Sequence, residues 1–229
     1  MPDHAELQMI GTYHCDFPTK FGLPRQSGLA GEVRGFLTFA PQFRDRNFFR
    51  GLEEYSHLWL LWQFSEAKET SGATVRPPKL GGNERRGVFA TRSPFRPNRI
   101  GLSVVRLEKL EFSEGEPLLF VRGGDLMDGT PIFDIKPYLP YADSVPEAAG
   151  GFAVPAGEAE LEVVVPAELR EKLPEERLPA LLQILRLDPR PGYQHDDARI
   201  YRFPYAGFEI AFRVKDSVLT VTEILPPNG

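Results

Sequence analysis

A chain of 229 residues with 41% hydrophobic and 11% aromatic content can bury one large core, with or without a small appendage, so this is not a disordered tail. The longest apolar run, near Leu58–Trp62, falls far short of the roughly 20 residues of a membrane span, and the acidic N-terminus lacks the apolar stretch of a signal peptide. The single cysteine, Cys15, excludes an internal disulfide and suits a reducing cytoplasm, while a net charge of −5 argues weakly against a nucleic-acid partner.

In chain order, short β-type segments fill the first two-thirds: "ELQMIGTYHC", "EVRGFLTFA", "HLWLLWQF", "RGVFAT", "IGLSVVRLEKLEF" and "PLLFVRGGDL". In the second, Val33, Gly35, Leu37 and Phe39 alternate with Arg34, Phe36 and Thr38, which predicts one buried face. "RDRNFFRGLEEY" reads as a short helix with Phe48, Phe49 and Leu52 on one side. "HLWLLWQF" is apolar on both faces, as in a strand central to a barrel or beneath a dimer interface, and places His57 as a hydrogen-bonded core histidine. The spacing of these segments predicts a mainly β protein built on a closed or nearly closed barrel. No G-x-G-x-x-G follows a strand, so a nucleotide-like cofactor would be held without a Rossmann fold.

From Asp143 the composition turns to Ala, Gly, Pro and Glu, a linker or surface loop over 143–160. A strand "LEVVVP", a helix "RLPALLQILRL" and three strands "RIYRF", "GFEIAFRV" and "SVLTVTEI" follow. The chain therefore divides into a barrel core at 1–142, the linker at 143–160 and a small α/β domain at 161–229. Residues 1–142 are expected to bind any cofactor without the C-terminal part.

The charge is unevenly placed. Between Arg76 and Arg106 eight Lys and Arg face one acid, Glu84, a local +7, whereas 143–180 carries nine acids and three bases. The bases are interleaved with Phe89, Pro94, Phe95 and Pro97, which an ordinary solvated face rarely holds, so this stripe is a candidate polyanion contact. Three further stretches could carry chemistry. In "FGLPRQSGLAG", Pro24, Gly28 and Gly31 set Arg25 and Gln26 on a rigid loop, a guanidinium and an amide suited to a carboxylate or purine edge. In "GDLMDGTPIFDIKPYLPYAD", Asp134 and Lys136 share one side of an extended segment beside Tyr138, with Pro137 and Pro140 expected to exclude a central paired strand. "RPPKLGGNERRG" could cover a ligand but is weak as a phosphate cradle. His4, His14, His57 and His195 have no metal-ligand spacing, and no G-x-S-x-G elbow supports serine chemistry.

Taken together, "FGLPRQSGL", "RGLEEYSHLWLL", "TVRPPKLGGNERRGVFATRSPFRPNRIGLSVVRL", "DLMDGTPIFDIKPYLPYADS" and "DPRPGY" resemble the TrmO-type (TsaA-like) tRNA methyltransferases over the whole chain. The resemblance implies an S-adenosylmethionine-dependent homodimer on a β-barrel that methylates the exocyclic nitrogen of threonylcarbamoyl-adenosine, 3′ of the anticodon. It implies cofactor contacts from Pro24, Arg25, Gln26, Phe64, Ser65, Arg92, Leu102, Asp125 and the run Ile132, Phe133, Asp134 and Ile135. Arg92 is the candidate for the methionine carboxylate. Arg85, Arg86, Arg96, Asn98 and Arg99 are the candidate tRNA contacts. The acceptor nitrogen is urea-like and a poor nucleophile until its proton is shared. Asp134 is the first candidate base and Asp125 the second, either of which could instead hold a ribose; Lys136 and Tyr138 stand beside the first. Where the family usually has N-P-I, this chain reads Asn98-Arg99-Ile100. A non-catalytic RNA-binding module on the same barrel is the alternative.

Overall fold

The computed structural model describes residues 6–68, 72–153, 160–190 and 196–226. His4, His195 and the end of "DPRPGY" lie outside the described residues. Six strands close the expected barrel: β1 (Gly11–Cys15), β2 (Arg34–Phe39), β3 (His57–Gln63), β6 (Ile100–Ser113), β7 (Glu116–Arg122) and β8 (Thr130–Pro137), in the order β1-β2-β7-β6-β3-β8. Between β3 and β6 the arginine-rich segment contributes only a two-residue ladder, β4 (Thr74–Val75) with β5 (Arg86–Gly87). "RGVFAT" is thus mostly a 3₁₀ turn at Val88–Ala90 and not a strand.

Alternation sets which side chains enter the barrel. On β2 Gly35, Leu37 and Phe39 point inward; on β3 Leu58, Leu60 and Trp62 do, leaving Trp59 and Leu61 half-buried outside. Two glycines make room for the interior aromatics. A Cβ on Gly35 would lie 2.2 Å from the Tyr13 hydroxyl, and one on Gly101 would lie 2.2 Å from the Trp62 indole paired opposite it.

Three further expectations need correction. β8 pairs with β1 on one side and β3 on the other, so it is a central strand despite its prolines. Pro137 closes the strand and Pro131 sits near its start, leaving the N–H groups of Ile132–Lys136 for the ladder. The segment after Arg44 forms two 3₁₀ turns, Arg46–Phe49 and Leu52–Glu54, because Gly51 between them adopts φ +80°; Phe49 is buried and Phe48 is exposed. His57 lies on the outer face at half burial, its Nδ1 2.9 Å from the Ser56 hydroxyl, and is not a core histidine.

After helix α1 (Pro140–Asp143), a four-stranded sheet in the order β10-β11-β12-β9 is built from β9 (Glu162–Val164), β10 (Tyr201–Tyr205), β11 (Phe208–Lys215) and β12 (Val218–Leu225). The other helices are α2 (Ala167–Arg170) and α3 (Leu178–Arg186), the latter burying Ala180, Leu181, Ile184 and Leu185. The core of this sheet is not its own. Phe17, Ala30 and Val33, from the barrel's first hundred residues, belong to the same buried cluster as Leu181, Phe203, Phe212 and Val221. Arg177 pairs with Asp16 at 2.5 Å, Glu32 donates its backbone N–H to Gln183 Oε1 at 2.9 Å, and Ala206 donates to the Asp16 carbonyl at 2.9 Å. Burial raises the Asp16 carboxyl, and Arg177 opposes that rise.

Candidate active site

β6 pairs with β7 only from Arg106 onward, so residues 100–105 pair with β3 on one side and turn their other edge toward the loop at 24–31. Val104 donates its backbone N–H to Ser27 Oγ at 3.1 Å, fixing that loop to the strand. Ser103 points inward, and its hydroxyl sits in a chain of fixed direction. Trp62 Nε1–H donates to Ser103 Oγ at 3.0 Å, and Ser103 donates to Asp125 Oδ1 at 2.5 Å. Burial raises the Asp125 carboxyl; the Ser103 hydroxyl, backbone N–H groups including that of Ser27, and the charge of Arg92 pull it back. Arg92 Nη1 donates to Gln26 Oε1 at 2.5 Å. Gln26, Arg92 and Asp125 therefore meet at one rim of the barrel.

The other candidates fall in different places. Arg25 turns away from this rim and donates to the Asp188 and Arg190 carbonyls at 3.3 and 3.4 Å. Pro24 is buried and, with Phe21, Ile184 and Pro189, lines a cavity of about 160 Å³ between this loop and α3. Phe64 packs its ring on Trp62 at 4.3 Å and donates its N–H to the Arg99 carbonyl at 2.9 Å, which ties the end of β3 to the arginine loop. Ser65 follows on a turn, its N–H on the Gln63 carbonyl at 2.9 Å.

On the outer face of the barrel Leu61 pairs with Leu102 on β6 and with Asp134 on β8, so these two flank it. Leu102 is 51% exposed. Ile132 faces inward and is fully buried, so only its backbone could meet a ligand outside; Ile135 packs on the barrel core, and Phe133 lies at the irregularity where the β3–β8 register shifts. Asp134 Oδ1 accepts the Ile135 N–H at 2.9 Å and its Oδ2 lies 3.3 Å from Lys136 Nζ. The Asp134 side chain is 48% exposed, so it does not leave bulk water in the single chain, as its apolar neighbours in sequence suggested. Ile135, opposite inward-facing Leu60, packs on the core, and the extra residue Phe133 turns Asp134 to the outer face although Ile132, two residues earlier, faces inward. Tyr138 packs on Trp59 at 5.7 Å, and the Trp59 indole donates to Asp143 Oδ2 at 3.0 Å.

The arginine loop is held largely by its own arginines. Arg96 Nη1 donates to the Thr91 carbonyl at 3.0 Å and Arg99 Nη1 to that of Ala67 at 2.9 Å. Arg85 reaches the Thr74 hydroxyl at 2.9 Å, and Arg86 pairs with Glu84 at 2.7 Å. Arg96 and Arg99 are half-buried, whereas Arg85, Arg86 and Asn98 are exposed. Each guanidinium has five N–H donors, more than the bonds named here use at Arg85, Arg86 and Arg96. Among the described residues, no group of three or more His, Cys, Asp or Glu is placed to hold a metal, and no helix is long and apolar enough to cross a membrane.

The sequence model of the tRNA-methyltransferase O N-terminal domain matches residues 12–144, and that of the TrmO C-terminal domain matches 158–227. The chain belongs to the TrmO family. It is 40% identical over 230 residues to the Escherichia coli K12 protein named tRNA (adenine(37)-N6)-methyltransferase, covering 96% of this chain and 98% of that one. It is 46% identical over 192 residues to a Pseudomonas aeruginosa protein whose name assigns it to the S-adenosylmethionine-dependent methyltransferases, covering 81% of each. A crystal structure of TrmO from P. aeruginosa superposes with a TM-score of 0.79 at 34% identity, covering 99% of both chains.

At Asn98-Arg99-Ile100 the resemblance implied N-P-I, and the backbone shows why proline does not suit this chain there. Arg99 adopts φ +46° and donates its backbone N–H to the Arg96 carbonyl at 3.3 Å. Proline holds φ near about −65° and has no N–H, so it fits neither condition. Arg99→Pro is expected to lower the melting temperature by several degrees, through a loss of about 1 kcal/mol or more; an unchanged thermal melt would show that the loop adopts another backbone at no cost.

Sequence reasoning missed Ser27, Trp62 and Ser103. The available signal was Ser103, a polar residue at an inward position between Gly101 and Val105.

Proposed function

We propose that this chain is an S-adenosylmethionine-dependent tRNA methyltransferase acting on the exocyclic nitrogen of adenosine 37 in its threonylcarbamoyl form, and that it works as a homodimer. The observation that supports this reading is the meeting of Gln26, Arg92 and Asp125 at one rim. Ser103, which holds Asp125, is followed on β6 by the outward position of Leu102, which with Asp134 flanks Leu61, and a +7 segment runs into β6.

The donor set suits this cofactor. A guanidinium at Arg92 matches a carboxylate, carboxylates at Asp125 or Asp134 match ribose hydroxyls, and exposed Leu102 offers an apolar wall to a purine. When bound, the cofactor supplies a methyl group already activated as a sulfonium. The chain's own task is to align the acceptor and exclude water. Asp125 already accepts the Ser103 hydroxyl and backbone N–H groups including that of Ser27, which suits it to hold the 24–31 loop in place beside Arg92. Asp134 accepts one backbone N–H and faces one ammonium, which leaves lone pairs for the acceptor's proton. Leu102 and Asp134 are open in the single chain, and a methyl-transfer site must be closed. A second copy of the chain and the incoming RNA would supply that cover.

The test is transfer of labelled methyl from S-adenosylmethionine to tRNA purified from cells lacking the enzyme, followed by nucleoside analysis. Label confined to threonylcarbamoyl-adenosine is the expected result. Cofactor binding with no label in any tRNA overturns it, and no cofactor binding at all favours an RNA-binding module.

Arg85 and Arg86 are the cleanest tRNA contacts to test, because among the described residues their exposed guanidinium groups reach side chains and hold no backbone carbonyl. Each Ala variant should weaken tRNA binding and flatten the plot of log affinity against log salt by roughly one phosphate contact, and the double variant by about two. Equal slopes for wild type and double variant would assign this part of the stripe to another role.

A further inference from the structure

We propose that Phe89 is a stacking platform for an unstacked base of the tRNA anticodon loop, an assignment that rests on the tRNA reading above. Phe89 is 80% exposed, although a phenyl ring this open gains nothing from the core. Its backbone is nevertheless fixed on every side. Val88, before it, is buried and donates its N–H to the Ala73 carbonyl at 2.9 Å. Thr91, two residues on, donates both its N–H and its hydroxyl to the Val88 carbonyl, at 3.1 and 2.9 Å. Arg96 then clamps the Thr91 carbonyl, and Ser93 donates its N–H to Thr91 Oγ1 at 3.2 Å. A flat apolar ring is thus held out toward solvent on a 3₁₀ turn, with exposed Arg85, Arg86 and Arg92 close in sequence.

The charge of the surroundings selects the occupant. A second copy docking symmetrically on Phe89 would set +7 against +7, whereas a polyanion is drawn to the same place. Single-stranded loops are read by bases splayed out onto aromatic faces with arginines on the backbone, the combination present here. A base held on Phe89 would fix the register of the loop relative to Asp134.

The experiment measures binding of the full-length protein and its Phe89→Ala, Phe89→Leu, Phe89→Tyr and Phe89→Trp variants to an anticodon stem-loop RNA, with sedimentation run alongside. Stacking predicts that Ala and Leu weaken RNA binding on the order of 10- to 100-fold while Tyr and Trp stay within about threefold of wild type. Cofactor affinity and sedimentation should not change. A Leu variant binding RNA as well as wild type overturns the proposal, since an apolar contact without a π-face then suffices. So does an Ala variant whose oligomer dissociates while its RNA affinity holds, which would place a second copy, through its acidic 143–180 stretch, on this ring. Wild-type protein that binds no stem-loop overturns the tRNA reading itself, a result distinct from equal binding by wild type and Ala variant.

Discussion

Asp134→Asn is expected to lower the rate of methyl transfer at saturating tRNA and cofactor by a factor on the order of 100 or more, the usual scale of general base catalysis. The substitution keeps the shape of the side chain and can still accept the Ile135 N–H, now 2.9 Å from Oδ1. It removes the capacity to take a proton from the carbamoyl-bearing nitrogen, and it leaves Lys136 facing an amide instead of a carboxylate at 3.3 Å. Cofactor and tRNA affinities should change by less than about tenfold, because the loss belongs to the transition state. Single-turnover rates measured with isothermal binding titrations separate the outcomes. If Asp134→Asn abolishes cofactor binding while turnover at saturation survives, Asp134 is a ribose ligand. Asp125 then becomes the candidate base, and its Ser103 hydrogen bond becomes the feature that orients it.

The barrel was legible because its signals are local. Alternation in β2 and the apolar run in β3 each fix which side chains point inward, and the turn glycines separate the strands. β8 was misread because a proline removes a donor only at its own position, and sequence does not say whether that position needs one in the ladder. The +7 segment was legible as a charge pattern. That Arg96 and Arg99 hold backbone carbonyls was not, because these contacts arise when a loop folds back on itself. The chain from Trp62 through Ser103 to Asp125 joins three strands or loops distant in sequence, so no window of residues contains it. Asp134 shows the converse. Its apolar neighbours suggested burial, yet the extra residue at Phe133 breaks the alternation that holds Ile132 inside and turns Asp134 outward, and no local pattern in the sequence marks that irregularity.

Removal of residues 144–229 is expected to leave a chain that does not melt as a folded barrel. Phe17, Ala30 and Val33 are buried against Leu181, Phe203 and Phe212, with Phe21 and Leu23 packed at the margin. Burying a large apolar side chain stabilises by about 1.5–3 kcal/mol, so re-exposing Phe17 and Val33 with parts of Phe21 and Leu23 costs roughly 5 kcal/mol or more. That is comparable to the whole stability of an ordinary domain, about 5–15 kcal/mol. The cut also strips Arg177 from Asp16, a carboxylate half-surrounded by protein, and takes away the Gln183 acceptor of the Glu32 N–H. The 24–31 loop loses the carbonyls that hold Arg25, so Gln26 and Ser27, next along the chain, lose their anchor beside Arg92 and Asp125. The shortened chain should therefore aggregate or show no cooperative transition by circular dichroism, and bind no S-adenosylmethionine by calorimetry. A shortened chain that melts cooperatively near the full-length temperature and binds the cofactor would show that the shared core contributes little and that residues 1–143 hold the site alone.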